Sequence, residues 1–529
     1  AENTGKLHDN FNTPFYMAFR RLVAWCVRRR WLTIGATALV FALGMAGMGR
    51  VQQQFFPDST RPEILVSLWL PEGASFAATE DVATRVEKRI RQAPGAASVS
   101  VWIGSGVPRF YLPLNQIMPQ SNVAQLIVLS QDMAARNHLL GSLPALLAQE
   151  FPEARARVKL LSSGPPVDYP VQFRVIGPDP QQLRAYANEV KAALRANVHM
   201  RDVNDNWNES IKTLRLQIDQ AKARALGVSS QSIAQALHVM QNGAAVGQYR
   251  EGDKLIDITL RQPASERGAL DSLAGAYVAT ASGKAIPLAQ IATPVLAWEP
   301  GVMWRDKREY AITVQGDVAQ GMEGATVTAQ LMPALRELQA HWASQTPGYR
   351  LEVAGATEES SKGSASIAAG VPVMLFITFT LLMLQLQSFS RAMLVFLTGP
   401  LGIAGVAAAL LALNRPFGFV ALLGVIALMG MIQRNSVILI DQIELNRRHG
   451  MSASHAIVEA AVGRLRPIAL TAAAAVLAMI PLSRSVFWGP MAVAIMGGLI
   501  VATALTLLAL PAMYAAWFRV KAEPEGASP

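Results

Sequence analysis

The chain has 529 residues, of which 51% are hydrophobic and 16% are charged, and its formal net charge is +10. This charge does not indicate a nucleic-acid-binding protein, because arginines flanking predicted membrane helices account for the excess. Cys26 is the only cysteine, so disulfide bonds are excluded and the folded regions must be stabilised by core packing.

Residues 1–30 are predicted to form a cytoplasmic or interfacial segment, and residues 31–50 the first transmembrane helix. The run PFYMAFRRLVAWCVRRR mixes aromatic residues with arginines, which is typical of a helix lying along a membrane surface. The chain begins AENTGKLHDN, with neither an initiator methionine nor a signal-peptide pattern. We therefore expect it to be a piece of a longer protein.

A large polar region follows the first helix, and its pattern predicts two copies of one α+β unit. In residues 61–163, alternating or apolar runs predict strands, and helical spacing predicts two helices between them. The strands are expected near 63–70, 97–103, 109–114, 123–129 and 156–161, and the helices near 76–92 and 132–150. Apart from the additional strand near 109–114, this order predicts a ferredoxin-like β-α-β-β-α-β subdomain.

The second copy is predicted over residues 168–205 and 295–362, and an unrelated unit, 206–294, interrupts it. SSGPPVDY, residues 162–169, is a predicted linker between the two copies. The inserted unit is expected to contain a strand, two short helices, the strand LIDITLR and the turn SGKAIPL.

Strand alternation in the first copy predicts one aliphatic sheet face and one mixed face. The aliphatic face contains Ile64, Val66 and Leu68. The opposite face is predicted to present Leu65, Ser67, Trp69, Trp102, Arg109 and Tyr111. An uncovered face with these aromatic rings suits the binding of flat apolar molecules, although the rings could equally pack against a neighbouring subdomain.

Five more transmembrane helices are predicted in residues 364–518, followed by a cytoplasmic tail, 519–529. The apolar runs lie near 367–386, 392–413, 417–440, 467–483 and 490–517. Arginines concentrate before the first helix and between the fourth and fifth, which predicts cytoplasmic termini and places the polar region outside. The sequence thus predicts an α-helical membrane protein with α+β periplasmic domains and about six transmembrane helices.

Arg434 lies inside the apolar run Phe417 to Ile440, and no other apolar run contains an acidic residue that could pair with it. An arginine at this depth costs about 2.5 to 3.5 kcal/mol unless a partner or water meets it. Either its partner lies on another polypeptide or it faces a wet pathway, and both interpretations indicate transport. Alternatively, Arg434 extends to the interface or only holds two helices together.

Several segments together resemble the C-terminal half of resistance-nodulation-division efflux pumps of Gram-negative inner membranes. They are IDQAKARALGVSSQSIAQAL, GDKLIDITLR, GKAIPLAQI, QLQSFSRAMLVFLTGPLGIAGVAAAL, GVIALMGMIQRNSVILID and GRLRPIALTAAAA. The resemblance covers nearly the whole chain and implies two porter subdomains with an inserted docking subdomain. It also implies a multi-pass protein of the inner membrane, with a large periplasmic region, that exports hydrophobic or amphiphilic compounds and is driven by protons.

The resemblance further implies a proton relay, in which paired aspartates of the N-terminal half couple to a lysine of this half. Arg434 occupies the lysine position and Asn435 follows it, while Thr471 and Arg464 match a threonine and an arginine of the family. Arginine keeps its proton at working pH, so the resemblance predicts a fixed charge here and proton carriers in the other half. Thr471 could instead serve only in helix packing.

Members of this family assemble with several partners, so the resemblance implies the same partners for this chain. These are the N-terminal half of the same pump, a second and third copy in a homotrimer, a periplasmic adaptor and an outer-membrane channel. The mixed sheet face, with Leu65, Ser67, Trp69, Trp102 and Tyr111, would border the substrate cleft. GSGVP, residues 104–108, lies where the family has a glycine-rich loop, although an ordinary turn is the simpler interpretation.

The residue pattern also bears on several other functions. A heavy-metal pump of this superfamily would need methionine clusters, and the methionines of the polar region are scattered. The sequence lacks the nucleotide-binding motif that an ATP-driven transporter would use and the catalytic motifs of membrane hydrolases. No metal or cofactor site is predicted. A non-transporting periplasmic scaffold for an export complex is the main alternative from another class, but a scaffold would not require Arg434.

Overall fold

The computed structural model describes residues 13–263 and 276–520. The chain starts with helix α1 (Pro14–Arg28), and helix α2 (Arg30–Met48) follows after one residue. Pro14 suits the first turn of α1 because that turn needs no backbone donor at this position. α2 is long and apolar enough to span a membrane, as predicted.

The first α+β subdomain has the predicted β-α-β-β-α-β order. Its elements are β1 (Glu63–Trp69), α3 (Phe76–Arg91), β2 (Ala96–Ile103), β3 (Val123–Ser130), α4 (Met133–Glu150) and β4 (Arg155–Leu160). The four strands are antiparallel in the order β2-β3-β1-β4. Ile64, Val66 and Leu68 are fully buried in the core that the two helices share, which confirms the aliphatic face.

The strand predicted at 109–114 is wrong, because residues 104–122 contain no strand or helix. Gly104, with φ +75°, ends the extended run, and its N–H still bonds to Val123 O. Pro108 and Pro113 lack the N–H that a ladder needs, so the segment between them cannot pair as a central strand. The segment lies across the second face of the sheet, where Val107 and Leu114 are buried.

The second α+β subdomain begins with the same pattern. Its first three elements are β5 (Val171–Gly177), α5 (Pro180–Ala196) and β6 (Met200–Asp205). Asp179 caps α5 by accepting hydrogen bonds from the N–H groups of Gln181 and Gln182. The sequence-based prediction of a repeat is confirmed at this level.

Residues 71–73 and 208–302 form a separate compact unit. Its elements are β7 (Ser210–Ile218), α6 (Gln220–Ala225), α7 (Ser230–Asn242), β8 (Ala244–Glu251), β9 (Lys254–Leu260), β10 (Tyr277–Ala279), β11 (Ala285–Pro287) and β12 (Ala292–Pro300). The predicted end at 294 falls inside β12, which pairs with β7 from Ala292 to Pro300. The unit therefore ends near 302, because strand pairing ties its last strand to its first.

The β8–β9 hairpin exposes both of its faces within this unit. Tyr249 and Leu255 are among its exposed side chains. A two-stranded hairpin is only marginally stable by itself, so such a surface favours contact with another chain.

The second subdomain resumes after the inserted unit. Its remaining elements are β13 (Arg305–Asp306), β14 (Glu309–Val318), α8 (Gly324–Gln345) and β15 (Arg350–Ala354). β14 and β15 pair on either side of β5, and β6 pairs with β14, which gives the strand order of the first subdomain. Phe173, Trp207 and Trp342 are fully buried in its core.

The remaining described helices form five spans whose lengths and compositions suit a membrane. They are α9 (Ala356–Leu386), α10 (Phe389–Thr398), α11 (Gly402–Ala412), α12 (Phe419–Arg448), α13 (Ala453–Ser483) and α14 (Gly489–Trp517). α10 and α11 form one span, with a 3₁₀ turn containing Pro400 between them. With α2, the described residues thus contain the six spans predicted from the sequence.

Small residues allow the central helices to approach closely. A Cβ on Gly405 of α11 would lie 2.2 Å from the carbonyl oxygen of Gly497 on α14. A Cβ on Gly44 of α2 would lie 2.4 Å from the Cα of Ala404. Close backbone contacts of this kind are the usual basis of helix association in membranes. The bundle around α11, α12 and α14 is therefore well packed.

Candidate functional site

Arg434 lies on an exposed strip of α12. Ala427, Gly430, Ile438 and Asp441 lie on the same strip and are also exposed, whereas the opposite side of α12 is buried. Within residues 13–263 and 276–520, Arg434 has neither a hydrogen bond nor an ion pair. A methyl group added to Gly430, one turn away, would meet no described atom within 4 Å outside the adjoining turns of α12. The strip therefore has a positive charge and enough open space for another helix to pack against it.

Asn435 does not share this strip, although it follows Arg434 in the sequence. It is 4% exposed and points into the bundle. Its neighbour Ser436 forms a hydrogen bond of 2.8 Å with Thr398, which ties α12 to α10. Because successive helical residues are about 100° apart, Arg434 and Asn435 serve different surfaces.

Thr471 and Arg464 lie on α13 and make different contacts. The Thr471 side chain is exposed, and its hydroxyl donates to the Ile468 carbonyl at 3.0 Å. Arg464 is half-buried, and its Nη2 donates to Gln442 Oε1 at 2.7 Å. Arg464 therefore joins α13 to α12 through the side-chain amide of Gln442. Among the described residues, Thr471 bonds only to the backbone of its own helix, as expected of a residue that serves in helix structure and not in a relay.

Gln442 and Asn446 were missed by the sequence-based reasoning. Gln442 Nε2 donates to Asn446 Oδ1 at 2.8 Å, and Asn446 Nδ2 donates to the Ala456 carbonyl at 3.2 Å. The two amides lie four residues apart on α12, which is the spacing of side chains on one helix face. That spacing is the signal that could have indicated a polar contact between helices.

The spans are buried to very different extents. Over their most apolar windows, 56% of the α14 residues are buried, but only 6% of those of α9 and 11% of those of α13. Lipid-facing helices also expose apolar side chains, so exposure by itself does not identify a partner. The strip around Arg434 differs, because an arginine is poorly accommodated by lipid.

A cavity of 880 Å³ lies between the two α+β subdomains and the adjoining ends of α9 and α12. Its walls come from β4, the linker after β4, the segment before α8, the first turns of α9 and α12, and residues 53–58. Phe55, Phe56 and Phe419 form an aromatic surface, with Phe56 at 4.7 Å from Phe55 and 5.5 Å from Phe419 between ring centroids.

Arg157 and Asp317 join the two subdomains at this cavity. The guanidinium donates two hydrogen bonds of 2.6 Å to the carboxylate, one from Nε and one from Nη2. Arg157 is 6% exposed and also lies 3.7 Å from the ring centroid of Tyr169. A two-pronged contact of this kind holds a buried guanidinium in one geometry.

Glu323 is the residue before α8, and it lines the cavity. Its Oε1 accepts a hydrogen bond of 2.9 Å from Gln54 Nε2. Burial, and then the neighbouring Asp58 carboxylate, raise the pKa of Glu323 to about 7. Burial also raises the pKa of Asp58, against the opposing attraction of Arg136 and Arg157. The cavity wall therefore carries carboxyl groups that favour a neutral or cation-paired state.

Lys159 faces the same cavity from β4. Burial, and then the positive charge of Arg157, lower the pKa of its ammonium group to about 8. Its nearest carboxylate oxygen is Oδ1 of Asp168, at 3.9 Å. The cavity thus combines aromatic rings with charges of both signs.

The predicted uncovered sheet face is wrong, because the segment 104–122 covers it. Leu65 and Ser67 are each 1% exposed. The Ser67 hydroxyl accepts from Gln125 Nε2, and Gln125 Oε1 accepts from the Val107 N–H, both at 2.9 Å. A buried polar side chain needs such partners, so this network holds the segment against the sheet.

Trp69, Trp102 and Tyr111 remain half-buried at the edges of this covered face. The Arg155 guanidinium lies 5.0 Å from the Trp69 ring centroid, and Trp102 and Tyr111 pack against the buried cluster of Leu65 and Val107. None of the five predicted cleft residues lines the 880 Å³ cavity. Their role in a substrate cleft stays a prediction for the three aromatic side chains.

The sequence is similar to those of several known proteins. Residues 2–517 match the model of the AcrB/AcrD/AcrF family. The chain is 25% identical over 511 residues to the cobalt-zinc-cadmium resistance protein CzcA of Cupriavidus metallidurans, covering 91% of the chain and 46% of that protein. It is 23% identical over 479 residues to the multidrug resistance protein MdtC of Proteus mirabilis, covering 87% and 44%.

The fold is also similar to that of a crystal structure of a heavy metal efflux pump. The TM-score is 0.76 at 21% identity, and the match covers 94% of this chain and 51% of the other. The chain therefore spans about half the length of the relatives that it matches.

The contact between Arg157 and Asp317 generates a first prediction. Arg157→Met should lower the free energy of unfolding by about 3 kcal/mol, because it leaves the Asp317 carboxylate partly buried without its cation. Thermal unfolding of the purified protein measures the loss. Arg157→Met with Asp317→Leu should recover most of it, because neither charge then remains.

Arg85→Met is the matched control, because Arg85 pairs with Glu153 at the surface of the same subdomain. It should change the unfolding temperature little. Equal losses for Arg157→Met and Arg85→Met would contradict the assignment of the Arg157–Asp317 pair as a stabilising contact between the subdomains.

Glu323 generates a second prediction. Its pKa in the folded chain is raised to about 7 from an ordinary 4.5. Its contribution to stability is therefore complete below about pH 4.5 and is lost as the pH rises through about 7. Glu323→Gln should remove this part of the pH dependence, and the unfolding temperature at pH 5 and pH 8 measures it.

The control for this experiment is Glu337→Gln, because Glu337 is exposed on α8. The control should keep the difference in unfolding temperature that the unchanged chain shows between the two pH values. A Glu323→Gln variant with the same pH dependence as the unchanged chain would disprove the assignment.

Proposed function

This chain belongs to the AcrB/AcrD/AcrF family, whose members are resistance-nodulation-division transporters, and on that premise we propose that it is the C-terminal half of a proton-driven efflux pump. The pump would lie in the Gram-negative inner membrane, with the α+β subdomains on the periplasmic side. It would export small amphiphilic compounds in exchange for protons.

Arg434 is the observation that carries this proposal. Its guanidinium lies on the exposed strip of a membrane-length helix and has no partner among the described residues. A partner on the N-terminal half of the pump would offset the cost of about 2.5 to 3.5 kcal/mol. Because arginine does not release its proton, the groups that take up protons would be carboxylates facing Arg434.

The other three predicted relay residues would support Arg434 and would not carry the charge themselves. Arg464 would hold α13 to α12 through Gln442, and Asn435 would fix α12 against the bundle. Thr471 is exposed on α13 and would contact the N-terminal half. Arg464 and Asn435 would therefore position Arg434, while Arg434 itself would supply the charge.

The cavity supports an amphiphilic substrate, preferably a cation. Its aromatic wall suits an apolar body, and Asp58, Asp202 and Glu323 offer carboxyl groups to a positive head. Trp69, Trp102 and Tyr111 would contribute a second aromatic region along the path between subdomain surfaces. Leu65 and Ser67 would serve only as support beneath the covering segment.

Metal export is the second candidate, because two of the similar proteins are named for metal resistance or metal efflux. The cavity wall has one methionine, Met322, and neither a histidine nor a cysteine. Among the described residues, no group of three His, Cys, Asp or Glu side chains could hold a metal ion. The chemistry of the site therefore favours an organic cation over a soft or borderline metal.

The proposed partners follow from the incomplete surfaces. The N-terminal half would cover the exposed strips of α12 and α13, and a homotrimer would cover the β8–β9 hairpin. The inserted unit would also meet the outer-membrane channel and the periplasmic adaptor. The exposed apolar side chains of the hairpin support a protein contact in that unit.

Arg434 provides the central test. Placed in the complete pump, Arg434→Ala should abolish resistance of a pump-deleted strain while leaving the yield of folded protein unchanged. The reason is that the facing carboxylates would lose the counter-charge that stabilises their ionised form. Arg434→Lys should retain part of the activity.

Ile438→Ala is the matched control, because Ile438 lies one turn further along the same strip and carries no charge. It should retain resistance. Full resistance with Arg434→Ala, or equal loss with both variants, would contradict a role for the charge.

The substrate class has its own test. Asp58→Asn combined with Glu323→Gln should weaken export of a permanently cationic dye by roughly fivefold, because a loss of about 1 kcal/mol of attraction corresponds to that factor. Export of an anionic amphiphile should be unchanged. Efflux rates from loaded cells measure both compounds.

Glu150→Gln is the control, because Glu150 pairs with Arg89 on the outer surface of the first subdomain. Tolerance of zinc, cobalt and nickel salts should not depend on the pump. Pump-dependent tolerance of these metals, with no export of either dye, would instead support the metal candidate.

A further inference from the structure

Helix α1 has a buried side and an exposed side, and the buried side packs on the membrane bundle. Val23, Cys26 and Val27 are buried against α13 and α14. Val23 and Val27 belong to the same apolar cluster as Ile457 and Tyr514. α1 is therefore part of the folded bundle and not a loose extension before α2.

Polar contacts fix α1 at one end of the bundle. Arg20 Nε lies 2.9 Å from Glu459 Oε1 on α13, and Arg30 Nη1 donates to the carbonyls of Ala515 and Val520, each at 2.9 Å. α2 runs from Arg30 toward the first α+β subdomain, so α1 lies at the end of the bundle away from that subdomain. The position corresponds to one surface of the membrane.

The outward surface of α1 is aromatic and apolar. Phe15 is 68% exposed and Trp25 is 46% exposed, and Trp31, at the start of α2, is 72% exposed. Tryptophan is enriched where hydrocarbon meets headgroups, because its ring is apolar and its N–H is polar. An exposed row of such rings on a helix beside a membrane span fits burial in the interfacial layer of lipid.

The same exposed side of α1 is also basic, since Arg21 and Arg28 lie one turn before and one turn after Trp25. Arg21, Arg28 and Arg29 are exposed, and residues 13–50 contain no aspartate or glutamate. Arg21 and Arg29 have no acidic partner among the described residues. The three arginines thus add positive charge where the aromatic row would place the helix among headgroups.

From these surfaces we propose that α1 binds the phosphate headgroups of anionic phospholipids through Arg21, Arg28 and Arg29. The lipids belong to the leaflet opposite the α+β subdomains, which is the cytoplasmic leaflet in the proposed orientation. The aromatic row holds the helix at headgroup depth, and the arginines face the phosphates. This inference rests on the membrane insertion that the proposed function requires, but not on transport.

The test measures lipid binding by the full chain in detergent, without any transport assay. Native mass spectrometry records how much phosphatidylglycerol or phosphatidylcholine the protein retains. We expect selective retention of phosphatidylglycerol. Arg21→Gln, Arg28→Gln and Arg29→Gln together should weaken that retention by about tenfold or more, and leave phosphatidylcholine unchanged.

Two further variants make the result specific. Arg195→Gln, Arg224→Gln and Arg250→Gln together make the same change of charge at exposed positions of the α+β regions, and should retain phosphatidylglycerol as the unchanged chain does. Replacement of the three α1 arginines by lysine should restore most of the binding, because the positive charge returns.

Several outcomes would overturn the proposal. They are equal retention of the two lipids by the unchanged chain, equal loss in the two triple glutamine variants, or release of the lipid by millimolar inorganic phosphate. A pump that fails to confer resistance but still selects phosphatidylglycerol would contradict the proposed function and leave this inference supported.

Discussion

The cost of removing a cation from water is the constraint on which the structure depends. For Arg157 this cost is offset within the chain by two hydrogen bonds to Asp317 and a contact with the Tyr169 ring. This arrangement joins two subdomains that otherwise share no paired strands. Arg434 does not meet the same constraint inside the described chain. Arg157 therefore links the two repeated subdomains, and Arg434 is the reason to expect a partner for the membrane region.

The cavity links these two regions physically. Its wall includes β4 and Asp317 of the subdomains, and also the first turns of α9 and α12. α9 continues directly from β15 through Gly355, whose φ of +70° permits the sharp change of direction. Arg174 of the second subdomain also reaches Glu358 on α9 at 3.5 Å. A movement of α9 or α12 would therefore alter the cavity, which is the kind of connection that the proposed proton-driven export would need.

The similar proteins include pumps named for metals and one named for multidrug resistance, so family membership leaves the substrate class open. The chemistry of the cavity decides between them in our proposal. Burial raises the pKa of Asp58 and Glu323, and an organic cation bound beside them would oppose that shift, because its charge stabilises the ionised carboxylates. The scarcity of sulfur and imidazole ligands on the cavity wall opposes a metal of the zinc or cobalt type.

Local patterns in the sequence were sufficient for most of the element order, except for the strand predicted at 109–114, because strand alternation, helical spacing and span length each concern neighbouring residues. They predicted both β-α-β-β-α-β units, the six spans and the isolated charge of Arg434. They failed where distant residues meet. Gln125 holds Val107 over the sheet face that was expected to be open, β12 pairs with β7 across the inserted unit, and Arg464 finds Gln442. Asp58, Arg157, Asp317 and Glu323 form one cavity wall although they are far apart in the chain, so only the tertiary structure could place them together and shift the pKa of Glu323.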